Sequence, residues 1–433
     1  MPSYYIWTIG CQMNKAESQK MADHLETFGY QATDALQKAD LVILNTCVVR
    51  QSAESKVLGM LGYLKGMKNQ KPDLSILVTG CFVDSDIEQL EKNFPHVDLF
   101  IKPSDYIGLC NWAERQSPVI TEDIVRLPSN HEVTVSVFIP IIQGCNNFCS
   151  YCIVPYRRGR EMSRPIDEIA SEVIELAKHG TREVTLLGQN VNSYGHDLPV
   201  PSDLGDLLSE LNHIVGLERI RFLTNHPKDM SRQLILAIGS LDKVCQHINL
   251  PLQSGSNHVL NAMKRGYTAE QYRHLIGNIR RQMPEVALST DVIVGFPDEN
   301  DEQFKQTLAM LEEIRFDTVH VATYSPRPGT AAAKEYQDNI PPEIKKERLY
   351  KVEEIQTRIA ADINSRLTGK TVDVLVEGNK GGKWYGRTRS NKLVFFESSD
   401  DCLGRLVDVI IIKASPWALQ ARWQGSVIAR RLR

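Results

Sequence analysis

The sequence predicts an α/β protein with three parts. Short apolar runs alternate with segments of helical periodicity along most of the chain, a pattern typical of parallel sheets and barrels. Polar loops follow these runs, as at the carboxyl ends of barrel strands, and after Gly369 short β-branched runs divided by turns take over. We predict an amino-terminal parallel α/β sheet domain (residues 1–120), a central partial (βα)6 TIM-like barrel (133–366) and a small antiparallel β-barrel (369–433).

The amino-terminal domain is predicted from repeated strand–helix units. Short apolar runs bounded by turn residues are typical of buried parallel strands. Gly29 follows the first helical segment and is a suitable residue to end it. The strands are expected at residues 4–10, 41–46 and 75–80, with helices at 14–28 and 51–69.

A cysteine directly follows each of these strands: Cys11, Cys47 and Cys81. Because the carboxyl ends of parallel strands meet at one edge of a sheet, we expect the three thiols to converge there. Free cysteine also packs as a small hydrophobe, so three unrelated core thiols are the alternative. Their equivalent places in successive units favour a three-thiolate cluster. The cysteines predicted to be structural are Cys110, Cys245 and Cys402.

A second group of thiols, Cys145, Cys149 and Cys152, follows an apolar run at residues 137–142 with the spacing Cys-x-x-x-Cys-x-x-Cys. Iron–sulfur clusters are held by thiolates at short spacings of this type. A closed zinc site normally uses four ligands, so zinc requires a fourth ligand elsewhere in the chain. Core or redox thiols are a further alternative. Three thiols leave one iron of a 4Fe–4S cluster open to a substrate or cofactor.

The central domain is predicted to contain six strand–helix units whose loops carry polar residues. Gln189, Asn190 and Asn192, in the loop GQNVNSYG, supply amide groups able to bind a ribose, a carboxylate or a base edge. Asn and Gly also populate loops as turn formers, which is the alternative. The strands are expected at residues 137–142, 183–187, 219–223, 247–252, 287–294 and 318–324, with helices including 166–179, 269–283 and a linker helix at 341–367.

The composition is that of an ordinary globular protein, with 42% hydrophobic and 24% charged residues. The sequence contains no apolar run of membrane-spanning length, and its amino terminus lacks a basic segment followed by an apolar core. We therefore expect no membrane span, no signal peptide and a cytoplasmic location. The nine cysteines do not suggest a disulfide framework, which agrees with a reducing compartment.

The net charge of −3 is unevenly distributed, because residues 369–433 carry a net charge of +6. A basic β-barrel with exposed aromatic and Arg side chains binds nucleic-acid backbone and stacks bases. The alternative is an accessory barrel that contacts only its own chain. The residues predicted to be exposed and to contact RNA are Trp384, Tyr385, Arg387 and Arg389.

These motifs resemble those of a known superfamily. The loop around Cys145, with Tyr151 as its aromatic residue, resembles the radical S-adenosylmethionine (SAM) enzymes. Together with the amino-terminal segments GCQMN, NTCVVR and VTGC and a TRAM-like barrel, it resembles the methylthiotransferases. GCNNFCSYCIVPYRRGREMSRP, LLGQNVNSYG and LPLQSGS are most similar to the MiaB type, the tRNA 2-methylthio-adenosine synthases. The resemblance covers nearly the whole chain.

The resemblance implies two 4Fe–4S clusters and SAM as cofactors. Cys145, Cys149 and Cys152 would hold the SAM-cleaving cluster, and Cys11, Cys47 and Cys81 an auxiliary cluster that carries the inserted sulfur. The residues expected to bind the cofactor are Tyr151, Gln189, Asn190 and Ser254. The arginines expected to meet phosphate or the SAM carboxylate, rather than to form a solvated basic face, are Arg157, Arg158, Arg160 and Arg164.

The implied substrate is N6-isopentenyladenosine 37 in the anticodon loop of tRNA. One SAM would donate a methyl group, and a second would supply the 5′-deoxyadenosyl radical. The expected partners are tRNA and a low-potential electron donor such as flavodoxin or ferredoxin, with the protein acting as a monomer. The alternatives are threonylcarbamoyl-adenosine in tRNA or an aspartate of a small-subunit ribosomal protein as the target, or a non-catalytic iron–sulfur RNA-binding protein.

Overall fold

A computed structural model describes residues 1–83, 86–116 and 134–427. The predicted domain boundaries at residues 120 and 133, and the last six residues of the predicted third domain, lie outside this description. The chain forms two compact units. The first contains the described residues up to 116 together with 143–161 and 327–330, and the second contains 134–142, 162–326 and 331–427.

The amino-terminal domain is a five-stranded parallel sheet with the order β2-β1-β3-β4-β5. Val42 and Leu44 pack on one face with α2, while Leu41 and Ile43 pack on the other face with α1 and α4. Burial on both faces explains the continuous apolar runs of the central strands. The elements are β1 (Ser3–Thr8), α1 (Gln12–Thr27), β2 (Gln31–Ala32), β3 (Leu41–Thr46), α2 (Gln51–Gln70), β4 (Ser75–Gly80), α3 (Ile87–Asn93), β5 (Leu99–Phe100) and α4 (Tyr106–Gln116).

The three predicted amino-terminal strands and both predicted helices are present, with ends that differ by a few residues at most. The sequence did not indicate β2 or β5, because each contains only two residues. Such short edge strands carry too few residues to show an apolar period.

The central domain contains six parallel strands, as predicted. Three of them pair in the order β10-β9-β6 and three in the order β11-β12-β13. A bridge between Ile220 and Val244 connects the two groups. The strands are β6 (Ser136–Pro140), β9 (Glu183–Leu187), β10 (Arg219–Phe222), β11 (His247–Asn249), β12 (Ala287–Val294) and β13 (Thr318–Thr323), with two short strands β7 (Ile142–Gln143) and β8 (Met162–Ser163).

The helices of this region follow its strands and supply the apolar face that covers them. Thr268 accepts a hydrogen bond from the backbone of Gln271 and begins α10 with a capping box. The helices are α5 (Val154–Arg158), α6 (Ile166–Lys178), α7 (Leu204–Asn212), α8 (Arg232–Ser240), α9 (Asn257–Ala262), α10 (Ala269–Gln282), α11 (Asp301–Ile314), α12 (Ala331–Glu335) and α13 (Pro342–Ser365).

The third domain is a closed five-stranded barrel with the order β14-β15-β16-β18-β17. Four strand pairs are antiparallel, but β16 and β18 are parallel, which differs from the fully antiparallel expectation. A closed ring of five strands cannot reverse direction at every pair, because five is an odd number. The strands are β14 (Thr371–Lys380), β15 (Lys383–Arg387), β16 (Leu393–Phe396), β17 (Leu406–Ala414) and β18 (Leu419–Val427).

Two buried arginines of β10 connect the central strands to this small barrel. Arg219 donates to the carbonyl of Arg387 at 2.5 Å and to the Asp373 carboxylate at 2.9 Å. Arg221 pairs with Glu183 at 2.9 Å and donates to the Thr388 carbonyl at 2.7 Å. The small barrel is thus held by charged side chains that are almost completely buried.

No helix in the described part of the chain is both long enough and apolar enough to span a membrane.

We expect Arg221→Met to lower the free energy of unfolding by about 3–5 kcal/mol, because it leaves the buried Glu183 carboxylate without its cationic partner. Urea denaturation followed by circular dichroism measures this change. The control is Arg422→Met on the exposed surface of the same unit, which should stay within about 0.5 kcal/mol of the parent protein. Equal stability of the two variants would contradict the proposed role of Arg221.

Candidate active site

The structure brings the three strand-end thiols together, as the parallel sheet predicts. A Cβ built on Gly10 would lie 2.6 Å from the Cβ of Cys47, so the backbone that leads into Cys11 passes directly over Cys47. Burial, together with the neighbouring Cys81 and Cys11, raises the pKa of Cys47 to about 11. Burial also raises the pKa of Cys81. Their role as cluster ligands stays a prediction.

Side-chain amides fix the loops that carry these thiols. Asn14 donates to the carbonyls of Ile9 at 2.9 Å and Thr46 at 2.8 Å, which ties the carboxyl ends of β1 and β3 together. Asn45 in turn donates to the Asn14 carbonyl at 2.8 Å. Gly80 is required at the end of β4 because a Cβ there would lie 2.3 Å from the Thr46 carbonyl.

The loop that contains Cys145, Cys149 and Cys152 folds back on itself. The backbone N–H of Cys145 donates to Gly159, and that of Cys152 donates to Cys149. Asn146 and Glu161 exchange hydrogen bonds of 3.1 to 3.4 Å across the base of the loop. The three thiols are therefore held on one closed turn, and this loop belongs to the same compact unit as Cys11, Cys47 and Cys81.

Arg158 differs from the expectation that the loop arginines meet phosphate or a SAM carboxylate. Its guanidinium is buried and makes two hydrogen bonds to Glu17, at 2.5 and 3.0 Å, and one to Asn14 at 3.1 Å. Arg164 is likewise paired with acids, Glu168 and Glu172. Both side chains already have carboxylate partners from this chain.

Sequence reasoning did not single out Glu17 or Asn14. A weak signal was present, because these two residues are three positions apart on α1 and share one helix face. Buried Asn and Glu on a helix that otherwise packs on a sheet indicate a polar site rather than core.

The chemistry of the thiols fits iron–sulfur clusters. None of the nine cysteines, all of which lie in the described part of the chain, forms a disulfide, so no disulfide competes with a metal for the six candidate ligands. Burial raises the pKa of Cys47, Cys81 and Cys145, which keeps these thiols neutral until a cation stabilises the thiolate. Within residues 1–83, 86–116 and 134–427, no group of three or more His, Cys, Asp or Glu side chains is arranged to hold a single metal ion.

The carboxyl ends of the central strands carry buried polar atoms without hydrogen-bond partners. They are Asn190 Oδ1, Asn225 Oδ1, His226 Nε2 and Gln253 Oε1. An unsatisfied buried polar atom costs about 1–3 kcal/mol, so several of them at successive strand ends indicate a site for a polar ligand. We call these four residues the polar rim. SAM, with its carboxylate, amino group and adenine, matches such a lining.

His226 is a rim residue that sequence reasoning did not single out, as are Asn225 and Gln253. Asn192 donates to its carbonyl at 2.9 Å and accepts from its N–H at 2.8 Å, which fixes its backbone. Its Nδ1 accepts from the Lys228 N–H at 3.2 Å, so Nε2 carries the proton of the neutral ring. Burial lowers the pKa of His226 to about 2, and Arg265 and Lys228 contribute. His226 is therefore a neutral donor.

The four predicted cofactor-binding residues occupy different environments. Asn190 is buried and donates to Asp229 at 2.7 Å while its Oδ1 is a rim atom. Ser254 is fully buried, and its hydroxyl already lies 3.3 Å from the Thr307 hydroxyl and accepts from the Ser256 N–H. Gln189 and Tyr151 are half-buried. Their role in cofactor binding stays a prediction.

The expected RNA-facing residues of the small barrel are half-buried rather than fully exposed. Trp384 packs against the barrel core, Tyr385 packs against Phe395, and Arg389 donates to the Val244 carbonyl at 2.7 Å. Arg387 is half-buried. Basic side chains reach solvent at Lys380 and Lys383, on β14 and β15, and at Lys413 and Arg422, on β17 and β18. Trp417, on the turn between β17 and β18, is 66% exposed.

The other cysteines lie outside both groups. Cys245 is fully buried, Cys402 is part of the small-barrel core, and Cys110 lies on α4. These places agree with a structural role.

Gly144 and Gly159 provide a matched test of the cysteine loop, because both have a left-handed φ of nearly +80°. A Cβ on Gly144 would lie 2.0 Å from the Arg160 carbonyl, whereas a Cβ on Gly159 has nothing within 4 Å. We expect Gly144→Ala to displace the loop and to lose the iron that it binds, measured after anaerobic reconstitution. Gly159→Ala should keep that iron at a conformational cost of about 1–3 kcal/mol, because φ 78° and ψ −162° form a region that residues with a Cβ rarely adopt. Equal iron contents would contradict this reading of the loop.

Comparison with known families assigns all three parts of the chain. The Radical SAM superfamily matches residues 139–311, Uncharacterized protein family UPF0004 matches residues 3–102, and the TRAM domain matches residues 365–423. Among solved structures, a radical S-adenosylmethionine methyltransferase, TsrM, from Kitasatospora setae has a TM-score of 0.57 at 15% identity. The match covers 77% of this chain and 76% of that one and shows a common fold.

Curated relatives match over nearly their whole length. A protein of Dehalococcoides mccartyi (strain 195) named tRNA-2-methylthio-N(6)-dimethylallyladenosine synthase is 50% identical, with 98% of both chains covered. A protein of the same name from Acetivibrio thermocellus is 44% identical over 98% of this chain and 91% of its own. This chain therefore belongs to the radical SAM methylthiotransferases, in the family of the tRNA-2-methylthio-N(6)-dimethylallyladenosine synthases.

Proposed function

We propose that this protein converts N6-isopentenyladenosine 37 of tRNA to its 2-methylthio derivative. Isopentenyl and dimethylallyl here denote the same five-carbon group, so the names of the relatives describe this reaction. The observation that supports it most is the presence of two sets of three cysteines within one compact unit. A single cluster would require only one set of cysteines, so the second set supports a second cluster.

The first set would be the site of SAM cleavage. Cys145, Cys149 and Cys152 would hold a 4Fe–4S cluster on the closed loop, leaving one iron without a protein ligand. When bound, this cluster supplies the electron that cleaves SAM to the 5′-deoxyadenosyl radical. The chain itself holds the three thiols on one turn and keeps Cys149 away from solvent.

The second set, Cys11, Cys47 and Cys81, would hold an auxiliary cluster that carries the sulfur to be inserted. Two of its thiols are nearly inaccessible to solvent, and the third is exposed. The exposed Cys11 is the side from which sulfur and the substrate base would approach. Asn14 and Asn45 would keep the loops of Cys11 and Cys47 in place during the reaction.

The polar rim of the central strands would bind SAM and the edge of the adenine base. Asn190, Asn225 and Gln253 offer acceptor oxygens, and His226 offers an N–H donor. Because burial lowers the pKa of His226 to about 2, this donor is uncharged near neutral pH. A fixed neutral N–H can therefore donate to a polar ligand without adding a charge to the site.

The third domain would bind tRNA with the solvent-exposed side of β17 and β18. Trp417 at the turn can stack on a base, while Lys413 and Arg422 can meet phosphates. The excess of positive charge after residue 369 supports this assignment.

An external low-potential electron donor such as flavodoxin or ferredoxin would supply the electron for SAM cleavage. The protein is proposed to act as a monomer in the cytoplasm.

The substrate is tested by mass spectrometry of tRNA nucleosides from a strain that lacks the gene. We expect 2-methylthio-N6-isopentenyladenosine to disappear and N6-isopentenyladenosine to accumulate. Complementation with the intact gene should restore the product. If the methylthio nucleoside persists in the deletion strain, the assigned substrate is wrong, and threonylcarbamoyl-adenosine and the ribosomal aspartate become the targets to test.

The division of labour between the two thiol sets is tested with Cys81→Ala. We expect this variant to cleave SAM to 5′-deoxyadenosine at a rate close to that of the parent protein but to form no methylthiolated tRNA. Cys110→Ala is the control, because Cys110 lies on α4 outside both sets and should leave both activities intact. Loss of both activities in Cys81→Ala would mean that the six thiols form one site.

A further inference from the structure

The ion pair between Arg158 and Glu17 is a feature that the proposed reaction does not require. The side chains are 2% and 4% exposed, so both charges are almost completely removed from water. Burying a charge pair carries a desolvation cost that its attraction often fails to repay. A well-packed apolar pair would hold the loop as firmly. Packing alone therefore does not explain why the two buried side chains are charged.

Arg158 connects the two thiol sets through the chain and through space. It lies six residues after Cys152, on α5, and its guanidinium reaches α1 of the amino-terminal domain. The Arg158 guanidinium opposes the effect of burial on the pKa of the Cys81 thiol, and its charge also acts on Cys11 and Cys47. A guanidinium of the cysteine loop therefore lies beside the thiols of the other set, and Asn14 links it to the Cys11 sulfur by hydrogen bonds.

Glu17 balances this charge on the opposite side. Its carboxylate accepts two hydrogen bonds from Arg158 and a third from the Ser104 hydroxyl at 2.7 Å. The carboxylate therefore orients the guanidinium. Asn14 Oδ1 receives a further N–H of the guanidinium and lies 3.5 Å from the Cys11 sulfur.

We infer that Arg158 is a positioning residue that raises the reduction potential of the auxiliary cluster, and that Glu17 limits this effect. The inference rests on the proposed function, since it assumes a cluster at Cys11, Cys47 and Cys81. Hydrogen bonds to ligand sulfurs and nearby charge are the means by which proteins set cluster potentials. A cation at Cys81 stabilises the reduced cluster, which carries one more negative charge.

The two members of the pair should therefore shift the potential in opposite directions. Removing the positive charge destabilises the reduced form and lowers the potential. Removing the negative charge leaves the arginine uncompensated, because a guanidinium does not give up its proton in a protein, and so it raises the potential. A residue that served only to pack the loop would not produce shifts of opposite sign.

The test uses the full chain with Cys145, Cys149 and Cys152 all changed to Ala, so that iron can bind only at the amino-terminal set. After anaerobic reconstitution, iron and sulfide are measured, and the cluster is titrated by electron paramagnetic resonance. Arg158→Gln should shift the midpoint potential to more negative values and Glu17→Gln to more positive values. Arg158→Lys, which keeps the charge, should lie between Arg158→Gln and the parent.

Two exposed substitutions in the same unit, Arg115→Gln and Glu88→Gln, control for change of net charge alone and should leave the potential unchanged. If the background protein binds no iron, the auxiliary cluster and the inference both fail. If it binds close to four irons, but Arg158→Gln and Glu17→Gln shift the potential in the same direction or not at all, the inference alone is overturned.

Discussion

The parallel alignment of β1, β3 and β4 is the constraint on which the amino-terminal site depends. Because the strands pair in register, from Tyr4 opposite Leu41 to Thr46 opposite Gly80, they end at one edge of the sheet. The residues that follow each strand therefore lie at the same edge of the sheet. Three cysteines at three strand ends become one group of thiols, although 36 and 34 residues separate them along the chain.

Buried arginines join elements that the backbone alone would leave loosely connected. Arg158 ties the cysteine loop to α1 in the first unit, and Arg219 and Arg221 tie the central strands to the small barrel in the second. In each case the guanidinium uses its planar fork to satisfy several acceptors at once. Each guanidinium therefore contacts the neighbouring element at more than one point.

The same reasoning separates the binding groups from the structural ones. The sequence suggests that Arg158, Arg164 and Arg389 bind anions. In the structure their guanidinium groups instead donate to carboxylates and a carbonyl of this chain. Buried atoms with unused hydrogen-bonding capacity include the four on the polar rim, and the exposed charges of β17 and β18 are also accessible to a ligand. A satisfied polar group stabilises the fold, whereas an unsatisfied buried one is available for a ligand.

The sequence by itself determined the order of the strands along the chain, the six-stranded central domain, the barrel after Gly369 and the two cysteine groups. These follow from local periodicity, from turn residues and from spacing, which a linear pattern contains. It also identified the family, because GCNNFCSYC and GQNVNSYG are long enough to be specific.

Only the tertiary structure decided which polar side chains face one another. Glu17 and Arg158 are 141 residues apart, and no local pattern relates them. The parallel pair β16–β18 follows from closing five strands into a ring, which is a property of the ring and not of any strand. The partial burial of Trp384 and the exposure of Trp417 likewise depend on the place of each in the folded barrel. Pairing, closure and burial are relations between distant segments, and a linear sequence specifies them only through the folded state.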